Sequence, residues 1–147
     1  MKRLIAALGV FFSFGAQAEV IDVSNDEFQK LINQGVKVVD LRTAGEWQQT
    51  GVVAGSHMIT LFDERGRPNP DWNREVNTIT PTPQPVVLIC RTGNRTGVAA
   101  KMMNEANPTR KIYNVKQGIT GWMRAGLPVV PFQQNVKTAG VRCGPVC

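Results

Sequence analysis

One cysteine sits where chemistry is easiest to do. Val86-Val87-Leu88-Ile89 runs straight into Cys90-Arg91-Thr92-Gly93-Asn94-Arg95-Thr96, and Gly97 to Met103 follows with the composition of a helix. An apolar, β-branched run of this length predicts a strand covered on both faces, which puts the thiol at the strand end, in the turn that opens the helix. In such a turn the N–H groups of Arg91 to Thr96 point inward and the helix N-terminus adds roughly half a positive charge. Arg91 and Arg95 add whole charges, and the resulting nest favours thiolate over thiol. Cys90 is therefore a candidate nucleophile. The bland alternative is an inert, small apolar side chain closing a core strand.

The other thiols lie far away in sequence. Cys143 and Cys147 bracket Gly144-Pro145-Val146. A disulfide between them would close a small ring and clip the tail, contributing about 2 kcal/mol if unstrained. A resolving role toward Cys90, a bridge to another chain, and two free thiols stay open beside that reading. The only histidine, His57, follows the Gly55-Ser56 turn and reads as structural rather than as a base for Cys90. With one histidine and no ligand spacing among the thiols, no metal is expected.

These residues need a scaffold, and the chain alternates strand-like and helix-like segments at the period of an α/β unit. Val20-Ile21-Asp22-Val23 reads as a first strand. Ser24 and Glu27 form a capping box for a helix with Phe28, Leu31 and Ile32 on its apolar face, stopped at Gly35. Val36 to Leu41 reads as the second strand and as the central one. Thr43 and Glu46 make a second capping box, for a short helix through Trp47 and Gln49 that ends near Gly51. Ser56 to Leu61 contains a third strand. Phe62 to Pro85, with five prolines, is the least regular stretch and reads as a surface excursion with a helix around Asp71 to Val76. After the Cys90 loop, a helix ends near Asn107-Pro108. Lys111 to Val115 is the last strand, and Ile119 to Ala125 a final helix before the turn at Gly126-Leu127-Pro128. In an open parallel sheet ligands collect beyond the carboxyl ends of the strands, so Asp40 and Cys90 are expected to meet at one rim.

The N-terminus bears on compartment. Lys2 and Arg3 precede an apolar run from Leu4 to Phe14, too short to span a bilayer, and Ala16-Gln17-Ala18 has the pattern of a signal peptidase site. Residues 1–18 thus read as a signal peptide, with an uncleaved anchor as the alternative. Cleavage leaves 129 of 147 residues, and loss of Lys2 and Arg3 lowers the net charge from +6 to +4. The mature protein is expected in the periplasm, free of the membrane, where disulfides persist. Its positive balance suits small anions. No basic run with interleaved aromatics points to nucleic acid.

With these residues in view, the chain resembles the rhodanese family of single-domain sulfurtransferases from about Ser24 to Pro128. Four patterns carry the likeness in order. They are Val38-Val39-Asp40-Leu41-Arg42 with Glu46, Gly51 and Gly55-Ser56; Cys90 to Thr96; Gln117-Gly118 with Trp122; and Gly126-Leu127-Pro128. One departure is Gln117, where many relatives carry glycine. The resemblance implies an α/β fold with a central parallel β-sheet flanked by helices on both faces, a rhodanese domain over residues 19–131 and a tail over 132–147 holding the cysteine pair. It also implies a two-step, cofactor-free reaction. Cys90 takes the outer sulfur of a small anionic donor such as thiosulfate or a polysulfide, and cyanide or a thiol collects it from the persulfide. Arg91, Thr92, Gly93, Asn94, Arg95 and Thr96 are then the substrate-binding loop, with Arg91 and Arg95 on the far end of the donor.

Around the loop, Asp40, Arg42 and Glu46 are supporting residues. Arg42 is expected to pair with Glu46, and Asp40 to shape the rim or bond the loop. Thr96 either donates to sulfur or caps the helix. A sulfur-carrying or redox-sensing binding protein is the alternative function. A cysteine phosphatase is the weaker one, because phosphatases of this fold place five residues between Cys and Arg, whereas four separate Cys90 from Arg95.

Overall fold

The computed structural model describes residues 20–133. The expected signal peptide and the pair Cys143 and Cys147 lie outside the described residues. Five strands form one sheet: β1 (Val20–Val23), β2 (Lys37–Asp40), β3 (His57–Met58), β4 (Val86–Ile89) and β5 (Ile112–Val115). All pairings are parallel and the order is β1-β5-β4-β2-β3. Four helices connect them, α1 (Asn25–Asn33), α2 (Ala44–Thr50), α3 (Trp72–Ile79) and α4 (Asn94–Ala106), and a fifth, α5 (Gly118–Arg124), follows β5.

The alternation of side chains along β4 explains the layering, because successive residues of a strand face opposite sides of the sheet. Val86 and Leu88 pack with Trp72 and Val76 of α3 and with Ala99, Ala100 and Met103 of α4. Val87 and Ile89 pack with Phe28 of α1 and with Ile119 and Trp122 of α5. The sheet is therefore covered on both faces, and all four β4 side chains are fully buried. On the α1–α5 side, Phe28 and Trp122 meet edge to face with ring centroids 5.1 Å apart, a geometry that adds to plain area burial.

Local chemistry sets the helix boundaries. Both capping boxes form: Ser24 accepts from the Glu27 N–H and Thr43 from the Glu46 N–H, while each glutamate reaches back to the N–H of its capping residue. The irregular stretch before β4 belongs to the domain. Its helix α3 buries Trp72, whose indole N–H donates to the Ile59 carbonyl at 3.0 Å.

Two expectations are corrected here. The middle strand is β4 rather than β2, which lies between β4 and the two-residue β3. The wholly apolar composition of Val86–Ile89 suits the centre better than a strand that opens on exposed Lys37. The helix after the Cys90 loop begins at Asn94, three residues before Gly97, so Arg95 and Thr96 are helical.

Candidate active site

Register brings the candidate residues to one rim. Asp40 pairs with Ile89 across β2 and β4, and the Leu41 N–H donates to the Ile89 carbonyl at 3.0 Å. Cys90 follows at the carboxyl end of the central strand. Gly93 then turns the chain with φ +94° and serves as N-cap of α4 without a side-chain cap. A side chain at this glycine would collide with the Lys116 carbonyl. The Gly93 N–H donates to Cys90 Sγ at 3.1 Å. Next to it, the first N–H groups of α4 lack intrahelical partners, as at every helix start, and carry the positive end of the helix dipole.

The segment around Gln117-Gly118 closes over the strand end from the other side. The Ile119 N–H donates to the Cys90 carbonyl at 2.9 Å and the Thr120 N–H to the Arg91 carbonyl at 3.1 Å. Gly118, at φ +57°, lies so near that a Cβ would meet the Cys90 and Arg91 carbonyl oxygens at 2.5 Å. Glycine is required here, whereas Gln117 is tolerated. Cys90 ends up 1% exposed. Its chain neighbour Arg91 lines a cleft of about 200 Å³ together with Arg42, Glu46, Thr50, Thr120 and Met123, and Cys90 itself is not part of that lining. A larger cleft of about 490 Å³ lies by Asp22 and Lys116, and Cys90 does not line it.

The charged groups pair differently from expectation. Arg42 Nη2 meets Asp40 Oδ2 at 2.7 Å and Nε meets Oδ1 at 3.0 Å, with both side chains buried. The same guanidinium donates to the Gly51 carbonyl at 2.9 Å and to Thr50 Oγ1 at 2.7 Å. Toward Glu46, it reaches only the backbone carbonyl, at 3.5 Å. The Glu46 carboxylate instead holds Arg95 at both ends, with Nη1 to Oε2 at 2.7 Å and Nη2 to Oε1 at 2.5 Å.

Burial alone would raise the Glu46 carboxyl. The hydrogen bond from Arg95, the Thr43 N–H and the charges of Arg95 and Arg42 outweigh it and bring the pKa down to about 2. Reciprocally, the Glu46 hydrogen bonds raise Arg95 against the effect of burial. Arg91 is exposed and makes no ion pair or hydrogen bond through its side chain among the described residues. It is the available cation at the mouth.

Thr92 and Asn94 are exposed around the turn. Thr96 is buried, with its hydroxyl against the Gly93 carbonyl and Asn114 Oδ1 and 4.0 Å from Cys90 Sγ. It does not cap α4, because it sits a turn inside the helix and its hydroxyl points back to a carbonyl. His57 pairs with Val39 across β2 and β3. Burial, and then the charge of Lys37, lower its pKa.

The sequence matches the Rhodanese-like domain family over residues 24–125. The chain belongs to this family. Among solved structures, it is similar to Rv0390 of M. tuberculosis, with 24% identity, a TM-score of 0.66, and coverage of 78% of this chain and 99% of that one. It is also similar to a thiosulfate sulfurtransferase of Pseudomonas aeruginosa, at 19% identity and TM-score 0.63 over 78% of this chain and 21% of that one. A third is the polysulfide-sulfur transferase homodimer of Wolinella succinogenes, at 22% identity and TM-score 0.59, covering 82% and 85%. No curated protein matches.

One residue of this rhodanese-like site escaped sequence reasoning. Asn114 lies in β5, is 9% exposed, and donates from Nδ2 to Asp22 Oδ1 at 2.8 Å, which turns its carbonyl oxygen toward Thr96. The signal was an amide inside an otherwise apolar strand, since a buried polar side chain needs partners.

Proposed function

We propose that this rhodanese-like domain is a sulfurtransferase that carries a sulfane sulfur on Cys90. The observation that supports it most is the Gly93 N–H held 3.1 Å from Cys90 Sγ at the mouth of a helix N-terminus. This is an environment made for negative charge on sulfur. In the first step the Cys90 thiolate attacks the outer sulfur of thiosulfate, the S–S bond of the donor breaks, and sulfite leaves with the bonding pair. In the second, cyanide or a thiolate attacks the outer sulfur of the persulfide and Cys90 leaves as thiolate. Each step exchanges one S–S bond for a bond to sulfur, so no metal or redox cofactor enters the balance.

Arg91, exposed at the cleft and without an ionic partner, is the residue we assign to the anionic end of the donor. Arg95 is engaged by Glu46 and supports the loop. That engagement also weighs against phosphate-ester chemistry, which needs the arginine of the loop turned onto the oxyanion. Export to the periplasm after removal of residues 1–18 completes the proposal, supported by the charge and hydropathy of that segment.

The test is thiocyanate formation from thiosulfate and cyanide. Cys90→Ser is expected to abolish it. Arg91→Ala is expected to lower kcat/KM for thiosulfate about tenfold, the loss of roughly one charge-assisted contact. Unchanged turnover in Cys90→Ser would refute the proposal.

A further inference from the structure

Asn114 sets a side-chain amide in β5, in register with Leu88 two residues before Cys90, and the two ends of that amide face different neighbours. Nδ2 donates to Asp22 Oδ1 at 2.8 Å. A carboxylate only accepts, so the amide carbonyl is the end turned toward α4. There it meets the Thr96 hydroxyl, which also touches the Gly93 carbonyl. We propose that Asn114 is a positioning residue for Cys90: by accepting the Thr96 hydroxyl proton, it keeps that proton off Sγ and so keeps the thiolate nucleophilic. The inference rests on the sulfurtransferase reading above and deepens it.

A threonine hydroxyl has a single proton to give. Two carbonyl oxygens claim it here, and both lie much nearer to Thr96 Oγ1 than Cys90 Sγ does, at 4.0 Å. Thr96 is fully buried, so water does not compete. The Gly93 carbonyl is the weaker claimant, because the N-cap carbonyl of a helix already accepts the first intrahelical bond. The Asn114 carbonyl has no other donor among the described residues, and a buried acceptor left unmet is costly. The proton therefore points to Asn114, and the hydroxyl presents lone pairs to sulfur. The Gly93 N–H, 3.1 Å from Sγ, is then the direct donor to the resting sulfur.

A second donor on sulfur would stabilise the thiolate and slow its attack, since thiolate nucleophilicity falls by about 0.4–0.5 log units for each unit of acidity gained. Without the Asn114 carbonyl, the hydroxyl is left between a carbonyl engaged by the helix and a negatively charged sulfur, and the charge is the stronger acceptor. The charged groups around Cys90 stay in place meanwhile. Arg91 follows it in the chain, Arg95 of α4 is held by Glu46 of α2, Asp40 and Arg42 pair at the end of β2, and Asp22 faces Lys116 at 3.5 Å on the far side of Asn114. Residues 117–120, which bond to the Cys90 and Arg91 carbonyls, carry no charge. Thr96 and Asn114 are themselves uncharged and act only through where one proton points.

The experiment follows iodoacetamide alkylation of Cys90 across a pH series in the full mature chain, read by mass spectrometry of the peptide that bears it. Asn114→Leu is expected to lower the midpoint of the alkylation profile by about one pH unit, the gain of one charge-assisted hydrogen bond. It is also expected to slow the plateau rate at high pH about threefold. In a Thr96→Val background the same substitution is expected to move neither. Asn114→Ala removes the same acceptor with less bulk and takes over the test if the leucine variant does not fold. A midpoint that stays in place or rises in these variants overturns the inference. So does a shift that persists in the Thr96→Val background, which would trace to Asp22 released from its amide partner. Alkylation needs no sulfur donor, so the sulfurtransferase reading is tested separately: it fails if thiosulfate does not add the mass of one sulfur, about 32 Da, to Cys90 in Cys143→Ser/Cys147→Ser.

Discussion

Two arginines are buried to 1% exposure at opposite ends of the sheet, and they are treated differently. Arg42, at the carboxyl end beside Cys90, has a carboxylate against it and further acceptors in Gly51 and Thr50. Arg110, just before β5 at the amino end, has no carboxylate. It donates to Asn77 Oδ1 at 3.0 Å and to the Thr80 carbonyl at 2.7 Å, its Nε has no partner, and burial lowers its pKa. The site end of the molecule fixes its charges in pairs, whereas the other end uses a guanidinium as a clamp between the turn after α3 and the approach to β5. Among the described residues that line the cleft, this pairing leaves Arg91 as the cation without an ionic partner.

The contrast is open to direct attack by substitution. Asp40→Ala strips the counter-charge from a buried guanidinium and is expected to lower the unfolding free energy by about 3–5 kcal/mol, as read from urea or guanidinium denaturation midpoints. Arg110→Met removes a charge that has no ionic partner and fills its volume, so the expected loss is smaller, about 1–2 kcal/mol from the acceptors it abandons. Equal losses in the two variants would dissolve the distinction between the ends.

Glu46→Gln probes the pair that links α2 to the Cys90 loop, and it retains the capping geometry at Thr43. Glu46 has a folded pKa of about 2, below the ordinary carboxylate value of 4.5. Its contribution is therefore complete above about pH 4.5 and is lost as pH falls toward 2. For a partly exposed pair the expected contribution is at most about 1 kcal/mol. The stability gap between wild type and Glu46→Gln should close over that acidic window and remain constant from pH 5 to 8. A gap that widened with acid would contradict the assignment.

What could be read from the residues follows from how local the determining physics is. The capping boxes at Ser24 and Thr43 and the strand ending at Cys90 depend on neighbours within a few positions, and they form as the sequence indicates. The expected Arg42–Glu46 pair does not form, because the Arg42 guanidinium is taken by Asp40 two residues before it. Arg42 lies in a bend between β2 and α2, and its N–H donates to Asp40 Oδ1 at 3.1 Å, which folds the chain back so that the guanidinium meets the same carboxylate. The true partner of Glu46, Arg95, is 49 positions away. No local rule reaches that far, nor does one fix which strand the crossovers put in the middle. Asn114 belongs with these, since its partners Asp22 and Thr96 come from β1 and α4.

The central claim is that sulfur travels on Cys90, and mass spectrometry of the peptide bearing it addresses this most directly. In Cys143→Ser/Cys147→Ser treated with thiosulfate, that peptide should gain the mass of one sulfur, about 32 Da, and lose it on addition of cyanide as thiocyanate appears in equal amount. An unmodified Cys90 peptide accompanied by undiminished thiocyanate would contradict the account.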